Sequence, residues 1–197
     1  MDPSAARVTR RRRVLAGAML LVVVAVAAVA FIITRERRPV GIAVTDPPAS
    51  DLAGLLDRAD LVVVGHVVAV TEGRVLSDDV DPTSAIRTQL AQLEINEVTI
   101  GAASDRLVLE EVAALADGTP ATVEGVRPSQ VGDAGLYFLV RDAEEGRVAL
   151  TGPQGRYLLD PDDPDRLVPP LSGDRLATRL AALGPRGLRA AVLDTGG

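Results

Sequence analysis

The sequence predicts a mainly β protein: a small five-stranded Greek-key barrel with short flanking helices, carried behind one N-terminal transmembrane helix. Three observations lead there. Hydrophobic residues make up 47% of the chain and aromatics only 2%, so the core must be filled by Val, Leu, Ile and Ala. β-Branched residues gather in short runs parted by Gly, Pro and Asp, which is the pattern of strands and turns. One uncharged run, Val14 to Ile33, is 20 residues long and as a helix spans about 30 Å, the thickness of a bilayer's hydrocarbon core.

The chain divides by composition. Residues 1–13 are a basic segment carrying five Arg against Asp2, and residues 14–33 are the transmembrane helix. That run has no polar face, whereas a soluble core helix normally has one. Arg7 and Arg10-Arg11-Arg12-Arg13 outweigh Arg35, Arg37 and Arg38 on the far side. Cationic flanks stay in the cytoplasm, so the N-terminus is expected inside and the rest outside, in contact with the bilayer through Val14–Ile33. A cleaved signal peptide is the competing reading: Ala28-Val29-Ala30 fits the small-x-small pattern, and a cut near Ala30 would secrete the domain. Against it, the apolar run exceeds the usual signal core of about 7–15 residues and continues through Phe31-Ile32-Ile33. Arg11-Arg12-Arg13-Val14-Leu15 only partly fits a twin-arginine export motif, because Arg10 stands where Ser or Thr is usual.

Residues 34–49 read as a linker, since Pro39, Pro47 and Pro48 oppose regular structure. The barrel domain is expected over 50–170 and a helical tail over 171–197. Ser50 can cap a short helix, Asp51 to Ala59, with Leu52, Leu55 and Leu56 on one face. Leu61 to Val70 is a strand, apolar on both faces and therefore central. Asp78 to Pro82 is a turn. Ile86 to Ile100 is a second strand, in which the apolar phase shifts between Ile95 and Val98 and predicts a bulge. Arg106 to Val112 is a third strand, and Gly118 to Gly135 a long loop with a short extended piece. Leu136 to Val140 and Arg147 to Thr151 are the fourth and fifth, with Arg156 to Leu159 a last short strand. Arg175 to Leu183 and a segment ending at Leu193 complete the tail as helices. Five short strands with irregular connections favour a barrel over a sandwich, because closure hides strand edges.

Charge and missing residue types narrow the chemistry. From Pro39 onward 13 Arg face 25 carboxylates, and an acidic domain is repelled by nucleic acid and by anionic lipid headgroups. Only Tyr137, Phe138 and Tyr157 are aromatic past Phe31, too few for a single-strand stacking platform. Tyr137 and Phe138 point to opposite faces of one strand, one into the core and the other open to surface contact. The chain contains no Cys, no Lys and one histidine, His66. Disulfides, thiolate or multi-histidine metal sites, cysteine nucleophiles and Ser-Lys dyads are thereby excluded.

The order of motifs then becomes informative. Ala59-Asp60-Leu61-Val62-Val63-Val64-Gly65-His66-Val67 follows a short helix, and a strand ends at Glu97-Val98-Thr99-Ile100-Gly101. Gly132-Asp133-Ala134-Gly135-Leu136-Tyr137-Phe138-Leu139-Val140 and Gln154-Gly155-Arg156-Tyr157 complete the series. Over residues 52–159 this resembles a group of secreted or membrane-anchored proteins of Gram-positive bacteria. More distantly it is similar to the netrin-like domain of tissue inhibitors of metalloproteinases. The resemblance implies an OB-type barrel and an extracytoplasmic setting. It does not carry the inhibitors' activity, which needs an N-terminal cysteine on the protease zinc and a disulfide-stapled barrel.

Asp160, Asp162, Asp163 and Asp165 are the metal candidates, since calcium takes several oxygen ligands from a flexible loop. They fail the helix-loop-helix calcium pattern, because Asp165 and Leu171 stand where Gly and Glu are needed. Two prolines make a solvated turn the simpler reading, so no metal and no cofactor are expected. Glu94 and Glu97 are the carboxylate pair a hydrolase would use, but in a regular strand they lie on opposite faces. The expectation is a non-catalytic module binding an envelope protein or polymer.

Overall fold

The computed structural model describes residues 39–42, 47–77, 85–141 and 146–196. The expected transmembrane helix Val14–Ile33, the basic segment before it and the expected Asp78–Pro82 turn lie outside the described residues. Among the described residues no helix is long and apolar enough to cross a membrane. In chain order these residues form β1 (Val40–Ile42), α1 (Leu52–Leu56), β2 (Leu61–Leu76), β3 (Ile86–Ile100), β4 (Arg106–Leu115) and β5 (Ala121–Val123). There follow β6 (Ala134–Arg141), β7 (Val148–Leu150), β8 (Arg156–Asp160), β9 (Asp163–Val168), α2 (Arg175–Ala182) and α3 (Gly184–Gly196).

Five of these strands close a barrel. β2 pairs with β3, β3 with β4, β4 with β7 and β7 with β6, and β6 returns to β2. Every pairing is antiparallel except β4 with β7, which is parallel and in register only at Leu109 and Val148. β6 divides its second edge, pairing β7 through Leu139–Arg141 and β8 through Gly135–Tyr137. β8 then leaves the barrel and turns back as β9.

The alternation of side chains along β2 and β6 feeds two cores. Leu61, Val63, Val67, Tyr137 and Leu139 point inward, against Ala91, Leu93, Leu107 and Leu109 of β3 and β4. Val62, Leu136 and Phe138 point outward and are covered by Leu55 of α1, Leu180 of α2 and Leu188 and Val192 of α3. This is why β2 begins apolar on both faces. Tyr137 and Phe138 are both fully buried, so neither is a surface contact; each anchors a different core. Phe138 meets Tyr157 edge-on, with ring centroids 5.9 Å apart. Each fully buried side chain of this size contributes about 1.5–3 kcal/mol.

Local chemistry sets the boundaries. Asp51, rather than Ser50, caps α1 by accepting from the Gly54 amide at 2.8 Å, and Asp174 caps α2 through the Ala177 amide at 2.6 Å. Each cap stabilises its helix by about 1 kcal/mol. The bulge read in β3 is double: Val62, Val63, Val64 and Gly65 face Ile100, Val98, Glu97 and Ile95, which leaves Thr99 and Asn96 as extra residues. Gly65 and Gly135 are cross-strand partners. A Cβ would lie 2.6 Å from the Glu94 carbonyl oxygen at the first and 2.1 Å from the Tyr157 carbonyl oxygen at the second. Only glycine lets the strands approach this closely.

Two stretches differ from the sequence reading. Residues 40–42, within the expected linker, form β1 parallel to β5, because Val40 and Ile42 are good strand formers and Pro39, Pro47 and Pro48 all fall outside the paired residues. β5 is the extended piece expected in the 118–135 loop. Asp163 and Asp165 belong to β9 rather than to an acidic loop: Leu158 pairs with Val168 and Leu159 with Leu167, which reduces the turn to two residues.

Candidate binding face

The helices cover the outer face of β6 and of the start of β2. Beyond them β2, β3 and β4 present rows of cross-strand partners: His66–Glu94–Arg106, then Ala69–Gln92–Val108, then Thr71–Leu90–Glu110. Residues paired this way share a face. In the first two rows Arg106 and Val108 are exposed, and His66, Glu94 and Gln92 are half-buried. His66 Nδ1 lies 3.3 Å from Asn96 Oδ1, and Arg106 lies 3.7 Å from Glu94. The face thus offers an imidazole, two amides, a carboxylate, a guanidinium and one exposed valine. Such a surface can exchange hydrogen bonds with a polar chain or a protein loop while burying a little apolar area.

The third row is a structural node. Glu110 accepts from Arg74 Nε at 3.0 Å, from Thr88 Oγ1 at 2.7 Å and from Arg147 Nη1 at 2.8 Å. Desolvation raises its pKa, but the hydrogen bonds from Arg147 and Thr88 and the two Arg charges outweigh that, so it titrates below an ordinary glutamate.

A second polar cluster plugs one end of the barrel. Arg156 is inward-facing on β8 and only 3% exposed. It donates to Ser129 Oγ and to the Arg127 carbonyl, with the Glu111 carboxylate at 3.5 Å. Glu111 in turn accepts from Gln89 Nε2 at 3.0 Å and from the Ser129 amide at 2.6 Å. Across the same loop Arg127 holds Asp133 with two bonds, at 2.8 and 2.7 Å. Burial raises the Asp133 pKa, while Arg127 and the Gln130 amide lower it further, leaving it below the usual aspartate value. A cleft of about 660 Å³ separates this loop from the β8–β9 hairpin, with Arg127, Asp133, Leu158, Pro161 and Pro164 among its walls. With each charge met by an opposite one, the cluster holds the 127–133 loop across the barrel end.

The residues singled out in the sequence are dispersed. Asp160 accepts from the Asp162 amide at 3.0 Å and lies 3.3 Å from Arg166, while Asp163 accepts from the Asp165 amide at 3.1 Å. Their carboxylates organise the hairpin turn, and among the described residues no three acidic or histidine side chains are grouped to hold a metal ion. Glu94 and Glu97 share the outer face after all, because the bulge at Asn96 resets the alternation. They engage different partners, Arg106 at 3.7 Å and Arg189 at 2.5 Å. Sequence reasoning missed the Arg156–Glu111–Asp133 cluster. Its signal was an arginine opening a short apolar strand, beside the Gly132-Asp133-Ala134-Gly135 motif.

No protein-family model matches the chain, and no curated protein matches it.

Proposed function

We propose that the chain is a membrane-anchored extracytoplasmic domain that binds another component of the cell envelope, a protein or a polymer, without catalysing a reaction on it. The observation that carries this reading is the asymmetry of the barrel. Three helices seal the outer face of β6 and of the start of β2, and the rows that run across β2–β4 beyond them are left open and polar. The strand order supports an OB-type assignment, and barrels of that type use their second and third strands, here β3 and β4, as a ligand face. The 20-residue apolar run Val14–Ile33 with its Arg-rich flank supports display outside the membrane.

A photo-crosslinking residue placed at Gln92 in the full chain tests the binding reading in intact cells. One discrete crosslinked species is expected at Gln92 and none at Ala182, on the helical side. The species should disappear when Val108→Arg is added. Equal capture at both positions would dismiss the β2–β4 face as the binding surface.

A further inference from the structure

The 13 arginines from Pro39 onward divide into two groups. Ten donate to, or lie against, a carboxylate or a backbone carbonyl among the described residues; Arg58, Arg87 and Arg141 take carbonyls, and the others are paired with acidic groups. Arg175, Arg179 and Arg186 have no such partner there, and all three lie on α2 and α3. Arg175 and Arg179 are one turn apart on the side of α2 opposite its buried residues Leu176, Ala177, Leu180 and Ala181. Arg186 opens α3, whose buried residues are Leu188 and Val192. Leu183, between Arg179 and Arg186, is 47% exposed, and Leu193 is 48% exposed. Residues 171–197 carry four Arg against two Asp, while residues 39–170 carry nine Arg against 23 carboxylates. An acidic domain therefore ends in a helical pair whose outer face is basic and bears two exposed leucines.

We propose that the outer face of α2 and α3 docks on an anionic lipid surface. Arginines without a carboxylate partner among the described residues are available to headgroup phosphates, and Leu183 and Leu193 are placed to enter the headgroup boundary beside them, as in interfacial helices. The charge imbalance sets the orientation. The strongly acidic remainder is repelled by such a surface, so the domain turns the outer face of α2 and α3, rather than its acidic strands, to the lipid. A soluble anionic polymer would meet the same arginines but gains nothing from the leucines, and it is the alternative that the test must separate.

The absence of native Cys permits a clean probe. An environment-sensitive fluorophore on Ala190→Cys in the full chain is measured with vesicles of phosphatidylcholine alone and with vesicles containing phosphatidylglycerol. The same fluorophore on Val108→Cys serves as control. A blue shift and quenching by brominated lipid are expected at position 190 only, only with phosphatidylglycerol, and reversed by salt. Replacing Arg175, Arg179 and Arg186 by Gln should weaken this docking on the order of a hundredfold without changing the thermal unfolding temperature. Flotation of the full chain with phosphatidylcholine alone reports the Val14–Ile33 anchor separately, so failure of either reading is distinguishable. No shift with phosphatidylglycerol, a shift unaffected by the triple replacement, or a shift produced instead by soluble poly(glycerol phosphate) would overturn the proposal.

Discussion

Arg147 Nη1 reaches Glu110 Oε2 at 2.8 Å across the β4–β7 seam. The two strands are otherwise in register only at Leu109 and Val148. Because Glu110 also holds Arg74 of β2 and Thr88 of β3, one carboxylate ties the strands on both sides of the closure. Glu110→Gln keeps the shape but removes the charge from a group whose side chain is 10% exposed. It should cost about 2 kcal/mol, which corresponds to roughly 6 °C in Tm for a domain of this size. Calorimetry checks this, and an unchanged Tm would mean that the seam is held by backbone pairing alone.

Acid should loosen the same barrel. Glu110 and Asp133 both titrate below their ordinary values in the folded protein. A carboxyl with a depressed folded pKa contributes stability that is fully present above its unfolded pKa, near 4, and is lost as pH falls through the folded one. The urea midpoint should therefore be flat from pH 7 to about 5 and fall steadily below that. In Asp133→Asn the fall should be shallower, because one of the two linked protons is gone. Equal slopes in the two proteins would remove Asp133 from the account.

Alkali provides an independent test, because the chain has only two tyrosines and both are fully buried. Desolvation pushes both phenols above their ordinary range. A raised phenol pKa is a contribution fully present below the unfolded value of about 10 and lost as pH rises above it. Absorbance at 295 nm should show no phenolate at pH 10.5, and then both groups ionising together as the fold opens. A gradual titration of one tyrosine near pH 10 would place it outside the core.

Gly135→Ala should be among the most damaging small substitutions. Its Cβ would stand 2.1 Å from the Tyr157 carbonyl oxygen and 2.8 Å from the Leu158 Cα, both backbone atoms that cannot rotate away. A loss of at least about 3 kcal/mol is expected, read as a drop in soluble yield and in urea midpoint. Gly118→Ala is a milder comparison, since a Cβ there meets nothing within 4 Å and costs only the strain of its φ of 81°.

Much of the architecture was legible in the sequence because it follows from side-chain period. The run Leu61–Val68 announced a strand buried on both faces, and the phase shift at Ile95–Val98 announced a bulge. The helix α2 was visible in the spacing of Leu176 and Leu180, whereas Leu183, which continues that spacing, lies past the end of the helix and is exposed. Strand β9 escaped notice because aspartates and prolines disguise it, and its pairing depends on Leu167 and Val168 meeting residues eight and ten positions earlier. The polar plug was less legible still. Arg156, Glu111 and Ser129 are far apart in the chain, and only barrel closure brings them together. The open β2–β4 face could not be read at all, since it is defined by where the helices do not pack.

The central proposal is that the barrel is held outside a membrane by its own N-terminal helix. Protease accessibility of a C-terminally tagged chain, in cells stripped of their wall, tests this in one experiment. The expected result is a full-length tagged band that disappears when protease is added outside. Complete protection in sealed cells would contradict it, and a band already shortened by about thirty residues before any protease would replace the anchor with a cleaved signal and a released domain.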